Sequence, residues 1–180
     1  MTFVPPKGKT PALRAGIIDA SNPYQFDLPT TWAETRVPNT QSGNYCQPRC
    51  DEPWTEVIFE NGVDGKVELI VAPLRKFTPS LTAKVEDFGN KDEFLPRVGP
   101  YLTGDYYEPE YKVSSDAVSK DGLTYYVYEL FAPDSLSGPH ILGVTTFKDE
   151  GCLLLKISAT EKQWKSSKAK LVEIAKSFKA

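Results

Sequence analysis

The chain is poor in the residues on which many active sites depend. Its 180 residues include one His, one Met and three Cys. A single imidazole excludes sites built on several histidines, and no apolar run reaches the roughly 20 residues of a membrane-spanning helix. GxGxxG, HExxH, GxSxG and EF-hand patterns are missing from the sequence, and Phe3 stands where a phosphate-binding loop ending at Gly8-Lys9-Thr10 would need its first Gly. These absences predict a protein that is not an enzyme.

What is present is the composition of a folded globular protein. Charged residues make up 25% of the chain and hydrophobic residues 40%, and the formal net charge is −3. This excludes a disordered chain and a general polyanion binder. The length suits one domain. We expect an extended N-terminal tail over residues 1–16, which holds three prolines, and a single domain over residues 17–180.

The charges are distributed unevenly. Residues 17–155 hold 11 basic and 22 acidic side chains, whereas residues 156–180 hold seven Lys and two Glu. An acidic body with a basic end favours oriented docking onto charged protein surfaces over nucleic-acid binding. The alternative is that the lysines only solubilise the outer face of a terminal helix. We expect a monomer without nucleic-acid partners that is at most peripheral to a membrane.

Alternating apolar and polar residues predict β-strands joined by tight turns. A helix or two half-helices are predicted at 84–99, and Thr160 with Gln163 forms the capping box of a terminal helix. Strands 123–131 and 152–157 are apolar on both faces, so both faces need cover. We therefore predict an α+β fold with a central antiparallel sheet flanked by helices on both faces, an α-β-α sandwich. The predicted strands are 24–28, 54–59, 66–72, 111–119, 123–132, 141–147 and 152–158.

Cys46-Gln-Pro-Arg-Cys50 is the most distinctive local pattern. Three intervening residues let a loop bring the two Cα atoms to the 4.4–6.8 Å that a disulfide needs. We predict a Cys46–Cys50 disulfide in an oxidising compartment. The alternatives are a reduced inert pair, a redox-active dithiol, and a zinc site that adds Cys152 and His140. Cys152 begins an apolar strand and is predicted to be a buried small hydrophobe.

Other candidate binding residues lie in two acidic clusters and in the basic terminal helix. The acidic clusters offer oxygens for weak Ca²⁺ binding, or only a solvated acidic face. No other cofactor and no dedicated metal site is predicted. Partner binding is assigned to His140 and to a stripe of helix lysines. The acidic clusters are Glu86, Asp87, Asp92 and Glu93, then Asp105, Glu108 and Glu110; the lysines are Lys162, Lys165, Lys168 and Lys170.

Several short patterns follow one another in an order shared with a known family. They are Tyr24-x-Phe26-x-x-Pro29-x-x-Trp32, Val85-Glu-Asp-Phe-Gly89 with Asp92-Glu-Phe94, Gly122-Leu-Thr-Tyr-Tyr126, His140 ahead of an apolar strand, Gly151-Cys-Leu-Leu, Glu161-Lys-Gln-Trp164 and Ser177-Phe178. As an ordered set, from about residue 17 to residue 178, they resemble the PsbP family of extrinsic thylakoid-lumen proteins.

This resemblance implies a central antiparallel sheet flanked by helices, and a non-catalytic protein that binds or helps to assemble photosystem complexes. It also implies a mature lumenal form without its transit peptide, in which a disulfide is stable. PsbP itself supports Ca²⁺ and Cl⁻ retention at the oxygen-evolving centre. The Cys46–Cys50 loop departs from PsbP, so the chain looks more like a PsbP-domain paralogue that assembles or regulates photosystem II or photosystem I. The alternative function is a redox-responsive lumenal regulator switched by the Cys46–Cys50 disulfide, with a thioredoxin-like reductant as a partner.

Overall fold

Long antiparallel strands dominate the computed structural model, which describes residues 1–43 and 51–180. The α-helices are α1 (Pro11–Arg14), α2 (Lys91–Thr103) and α3 (Glu161–Ser177). The strands, in chain order, are β1 (Thr2–Phe3), β2 (Phe26–Asp27), β3 (Ala33–Thr35), β4 (Trp54–Asn61), β5 (Gly65–Pro73), β6 (Lys112–Lys120), β7 (Leu123–Phe131), β8 (His140–Lys148) and β9 (Gly151–Ala159).

Seven of the strands form one sheet in the order β3-β4-β5-β9-β8-β7-β6, and β1 pairs with β2 separately. All the pairings are antiparallel. The turn between β6 and β7 consists of Asp121 and Gly122, which both have positive φ. Asp-Gly supplies this backbone geometry with little strain, and its twist matches that of the strands. Local turn chemistry therefore sets the pairing of this hairpin.

The two faces of the sheet carry separate apolar cores. Along β9, Leu153, Leu155 and Ile157 belong to one core and Leu154 to the other. The first core receives the apolar face of α3 and side chains from residues 1–32, and the second receives Phe94, Leu95, Val98 and Leu102 of α2. Every residue of β9 is buried, which confirms that this strand is covered on both faces.

The predicted α-β-α sandwich is wrong, because the protein is mostly β-sheet. The described residues form three α-helices, one of them four residues long, against a seven-stranded and a two-stranded sheet. Much of the cover comes from β1 and β2, from irregular chain and from 3-10 helices at Leu74–Lys76 and Val85–Phe88. A strand that is apolar on both faces must be packed against other apolar residues on each face. Because any apolar segment can supply those residues, the strand pattern alone did not require layers of helices.

Residues 1–16, which we expected to form an extended tail, pack against the sheet. Phe3 is buried with its ring centroid 4.9 Å from that of Phe59, and Ala12 and Leu13 are buried in α1. The backbone N–H of Ala12 donates to the buried Glu56 carboxylate at 2.8 Å. The prolines of this segment therefore do not keep it away from the core. The division of the chain into a tail and a domain beginning at residue 17 stays a prediction.

The helical region predicted at 84–99 consists of two pieces. The 3-10 helix Val85–Phe88 ends at Gly89, whose φ is +97°, and α2 then begins after the N-cap Asn90. Asn90 accepts hydrogen bonds from the backbone N–H groups of Asp92 and Glu93. α2 continues through Pro96 and Pro100 to Thr103. Because proline normally ends a helix, the helix was predicted to end at residue 99, before its observed end at Thr103.

Candidate functional site

His140 lies in an aromatic cluster where β8 begins. Its ring stacks on Trp164 of α3, with centroids 4.8 Å apart and an interplanar angle of 7°. The Phe131 ring lies 5.1 Å away, since residues 131 and 140 are paired across β7 and β8. The imidazole is therefore fixed between two aromatic side chains, and 41% of Phe131 is exposed to solvent.

Glu161 holds the outer side of this imidazole. His140 Nε2 and Glu161 Oε2 are 2.6 Å apart. The position of Glu161 follows from the capping box, in which Thr160 and Gln163 start α3. Hydrogen bonding to His140 and, to a smaller extent, to Lys165 lowers the pKa of Glu161. An ionised carboxylate is only an acceptor, so the short contact places a proton on Nε2 of His140.

Two of the predicted lysines adjoin this cluster. Lys165 Nζ lies 3.4 Å from Glu161 Oε1, one helical turn along α3. Lys168 Nζ lies 4.9 Å from the centroid of the Trp164 ring and 3.0 Å from Glu129 Oε1 on β7. Both lysine side chains are exposed, and each is paired with one carboxylate, which leaves ammonium N–H donors for another molecule. We refer to Phe131, His140, Glu161, Trp164, Lys165 and Lys168 as the His140 surface.

The other two predicted lysines are placed differently. Lys170 binds Asp64, at the hairpin between β4 and β5, through contacts of 2.7 and 2.8 Å. Burial raises the pKa of Asp64, but hydrogen bonds from Lys170 and Ser167 outweigh that effect and lower it. Lys170 thus faces β4 and β5 while Lys168 faces β7, on opposite flanks of α3. Lys162 is exposed and forms no ion pair with any residue in the described part of the chain.

The arrangement combines an exposed aromatic edge, two cations and a carboxylate-bound imidazole. Sequence reasoning missed Phe131 and Glu129 as neighbours, because only the β7–β8 register and the docking of α3 bring them here. Trp164 entered the prediction as part of the pattern Glu161-Lys-Gln-Trp164, and nothing in the sequence alone paired it with His140.

The predicted cysteine site can be described only in part. Cys46 and Cys50 lie outside the described residues, so their disulfide stays a prediction. Cys152 is a free, fully buried cysteine, as expected. Burial raises the pKa of its thiol to about 12, and Thr145 Oγ1 lies 3.5 Å from the sulfur. A thiol in this environment is a poor nucleophile and a poor metal ligand.

The zinc alternative fails because of strand register. His140 pairs with Ala159, and Cys152 lies seven residues from Ala159 along β9. At about 3.3 Å per residue, His140 and Cys152 are roughly 23 Å apart. Within residues 1–43 and 51–180, no group of three His, Cys, Asp or Glu side chains is arranged to hold a metal ion.

Some of the acidic side chains considered for Ca²⁺ binding form hydrogen bonds within the protein. Asp92 accepts hydrogen bonds from Ser115, Lys91 and Lys112, which hold its pKa well below the ordinary value. Glu86 Oε1 accepts a hydrogen bond from the Thr124 hydroxyl. Weak Ca²⁺ binding stays a prediction. In the part of the chain that the structure describes, none of the helices is long and apolar enough to cross a bilayer.

Comparison with known proteins gives concordant results. The profile of the PsbP family matches residues 16–180. PsbP domain-containing protein 6, chloroplastic, from Arabidopsis thaliana is 43% identical over 169 residues, which are 94% of this chain and 63% of that protein. The chain thus spans less than two thirds of this relative. The solution structure of cyanobacterial PsbP (CyanoP) from Synechocystis sp. PCC 6803 matches with a TM-score of 0.56 at 22% identity, covering 87% of this chain and 86% of that one. That likeness concerns the fold alone.

Proposed function

The chain belongs to the PsbP family, and we propose that it is a non-catalytic accessory protein of the chloroplast that binds photosystem proteins. In this proposal it acts in the thylakoid lumen, where it assists the assembly or regulation of photosystem II or photosystem I. The family membership supports the photosynthetic role, and the similarity to a chloroplastic PsbP-domain protein of Arabidopsis supports the location in the chloroplast.

The observation that carries the docking proposal is the fixed imidazole of the His140 surface. Aromatic side chains are enriched where proteins bind one another, with charged residues at the rim of the contact. His140 is immobilised between Phe131 and Trp164 and bonded to Glu161, so little conformational entropy remains to be lost on binding. Preorganisation of this kind favours a specific contact surface.

The charges of the surface favour an anionic partner. Lys165 and Lys168 are both exposed, and Lys168 lies on the flank of α3 that faces β7. Rim charges mainly set the association rate and its salt dependence. Their effect is screened over about 8 Å at 0.15 M ionic strength. The partner is therefore proposed to present acidic side chains to this flank.

The test reverses both charges and follows association with detergent-solubilised thylakoid complexes. The double substitution Lys165→Glu and Lys168→Glu should slow association and flatten its dependence on ionic strength, while leaving the circular dichroism spectrum unchanged. Lys176→Glu with Lys179→Glu is the matched control, because it makes the same change in net charge at the far end of α3. If both double variants associate at the wild-type rate with the wild-type salt slope, the lysines only solubilise the helix.

The alternative function, regulation through a Cys46–Cys50 disulfide, stays a prediction. The described residue nearest to these cysteines on the N-terminal side is Gly43, where an added Cβ would lie 2.8 Å from the Trp54 ring. Gly43 itself is thus packed against β4.

A further inference from the structure

A polar cavity of about 360 Å³ lies on the second face of the sheet, away from the His140 surface. Its floor is formed by Lys66 and Glu68 of β5 and Lys156 of β9. Its walls are the end of α2 and the loop 133–139, and Gln41 lies at its edge. The buried charged side chains at the base of this open cavity require an explanation, because buried charge lowers stability unless it is fully partnered.

The floor carries charges that the described residues do not fully satisfy. The side chains of Glu68 and Lys156 are 6% and 7% exposed, respectively. Glu68 Oε1 lies 3.1 Å from Lys66 Nζ and Oε2 lies 3.3 Å from Lys156 Nζ. Oε2 nevertheless has no hydrogen bond from any described residue. Two lysines share one carboxylate, so the floor has a net positive charge. The two ammonium groups also keep N–H donors that a bound anionic group could accept from.

The mouth of the cavity has the opposite charge. Asp105 and Asp134 line it and are both exposed, and Thr103 at its wall ends α2. The C-terminus of a helix carries a partial negative charge, which adds to that of the two carboxylates. The cavity therefore runs from a buried cationic floor to an acidic rim.

Close packing holds this arrangement in place. An added Cβ at Gly143 would lie 2.7 Å from Leu102, so glycine lets the end of α2 approach the sheet. An added Cβ at Gly138 would lie 2.5 Å from the Ala159 carbonyl oxygen, and the φ of Gly138 is +117°. Ser135 Oγ donates to the Thr103 carbonyl at 3.1 Å, which joins the loop 133–139 to α2. The cavity is thus built by specific contacts between three elements.

From this polarity we propose that the cavity binds a small zwitterion of the amino-acid class. The ligand carboxylate binds Lys156 and Lys66 at the floor, and its ammonium group faces Asp134 and Asp105 at the rim. Asp134 accepts a hydrogen bond from the Tyr106 hydroxyl at 3.3 Å, but no cation neutralises it within the described residues. A ligand of this class supplies a counter-charge at both ends, whereas a simple anion leaves the rim carboxylates without one and a simple cation is repelled by the lysines. This site is independent of the proposed docking to photosystem proteins.

The test titrates the full chain with ω-amino acids of increasing length, namely glycine, 4-aminobutyrate and 6-aminohexanoate. Amide resonances of Gly104, Ser135 and Ser137 report binding. At least one zwitterion should shift these resonances saturably. Hexanoate and hexylamine each lack one charged group of 6-aminohexanoate, and each should bind about tenfold more weakly than it, which corresponds to about 1.4 kcal/mol of binding free energy. Hexanoate binding as tightly as 6-aminohexanoate would overturn the assignment.

Two variants separate binding from folding. Asp134→Asn changes an exposed rim charge and should weaken binding of the same zwitterion by about tenfold with the fold intact. Lys156→Met should abolish binding. Asp116→Asn, on the exposed edge strand β6, is the matched control and should bind as wild type does. If no zwitterion produces a saturable shift up to ~10 mM, or if Asp134→Asn binds as well as the control, the proposal is wrong.

Discussion

The buried carboxylate of Glu56 provides a stringent test of how the N-terminal segment is held. Glu56 lies on β4 and is 5% exposed. Its Oε1 accepts hydrogen bonds from the Ala12 backbone N–H at 2.8 Å and from Trp54 Nε1 at 2.6 Å, and Tyr24 Oη lies 3.4 Å from Oε2. The carboxylate therefore joins α1 and the segment around Tyr24 to the main sheet.

Two substitutions at this position should differ strongly in stability. Glu56→Leu leaves the N–H groups of Ala12 and Trp54 buried without an acceptor, and each such group costs about 1–3 kcal/mol. The expected loss is about 2–6 kcal/mol, a large part of the ~5–15 kcal/mol that stabilises a typical protein. Glu56→Gln keeps an amide oxygen where Oε1 accepts both bonds, so its free energy of unfolding should stay within about 1 kcal/mol of wild type.

The two proteins should also differ in pH dependence. Burial raises the pKa of Glu56 above its ordinary value of 4.5, although the hydrogen bonds partly offset this. A carboxyl whose pKa is raised on folding favours the folded state below its unfolded pKa, and this contribution is lost as pH rises through the folded pKa. Glu56→Gln lacks this loss, so it should gain stability relative to wild type as pH rises above 4.5.

Urea unfolding followed by tryptophan fluorescence at several pH values measures both effects. Glu60→Leu, on the exposed end of the same strand, is the matched control and should change the midpoint little. The reasoning is refuted if Glu56→Leu costs less than about 1 kcal/mol, or if Glu56→Gln is as destabilising as Glu56→Leu.

Two further predictions concern the cysteines and the terminal helix. Alkylation of the denatured protein without reductant should label Cys152 alone, because Cys46 and Cys50 are predicted to be bonded. Mass spectrometry that finds label on all three cysteines would contradict the disulfide. Trp164→Ala should lower the free energy of unfolding by about 3–5 kcal/mol, because the ring is buried and stacked on His140. An unchanged urea midpoint would mean that this ring does not hold α3 on the sheet.

Much of the strand pattern could be predicted because it depends on neighbouring residues. The alternation along β4 to β9 and the Asp121-Gly122 turn specify strands and hairpins locally. What covers the sheet depends on distant parts of the chain. Phe3 packs on Phe59, and α2 passes through two prolines, for reasons that no short window of sequence contains. The helical layers were therefore overestimated.

The sequence could identify single residues of the candidate site, but it could not show which of them lie together. His140 stood out as the single imidazole, and the lysines stood out by their number. Helical periodicity could not show that Lys168 faces Glu129 while Lys170 faces Asp64, because those partners lie on β7 and at the β4–β5 hairpin. The polar cavity escaped detection for a similar reason. Its floor pairs residue 68 with residue 156 through the β5–β9 register, and such pairing requires the folded sheet.

Site-directed photo-cross-linking tests the central claim, docking through the His140 surface, most directly. A photoreactive benzoylphenylalanine is placed at Lys165 or at Leu81, which are 74% and 48% exposed. Leu81 lies beside Asp149 and Glu150, at the end of β8 opposite to His140. Each protein is then illuminated with thylakoid complexes and its adducts are identified by mass spectrometry. Docking through the His140 surface predicts adducts with a photosystem subunit from position 165 and none from position 81. Adducts from position 81 alone, or equal adducts from both positions, would contradict it.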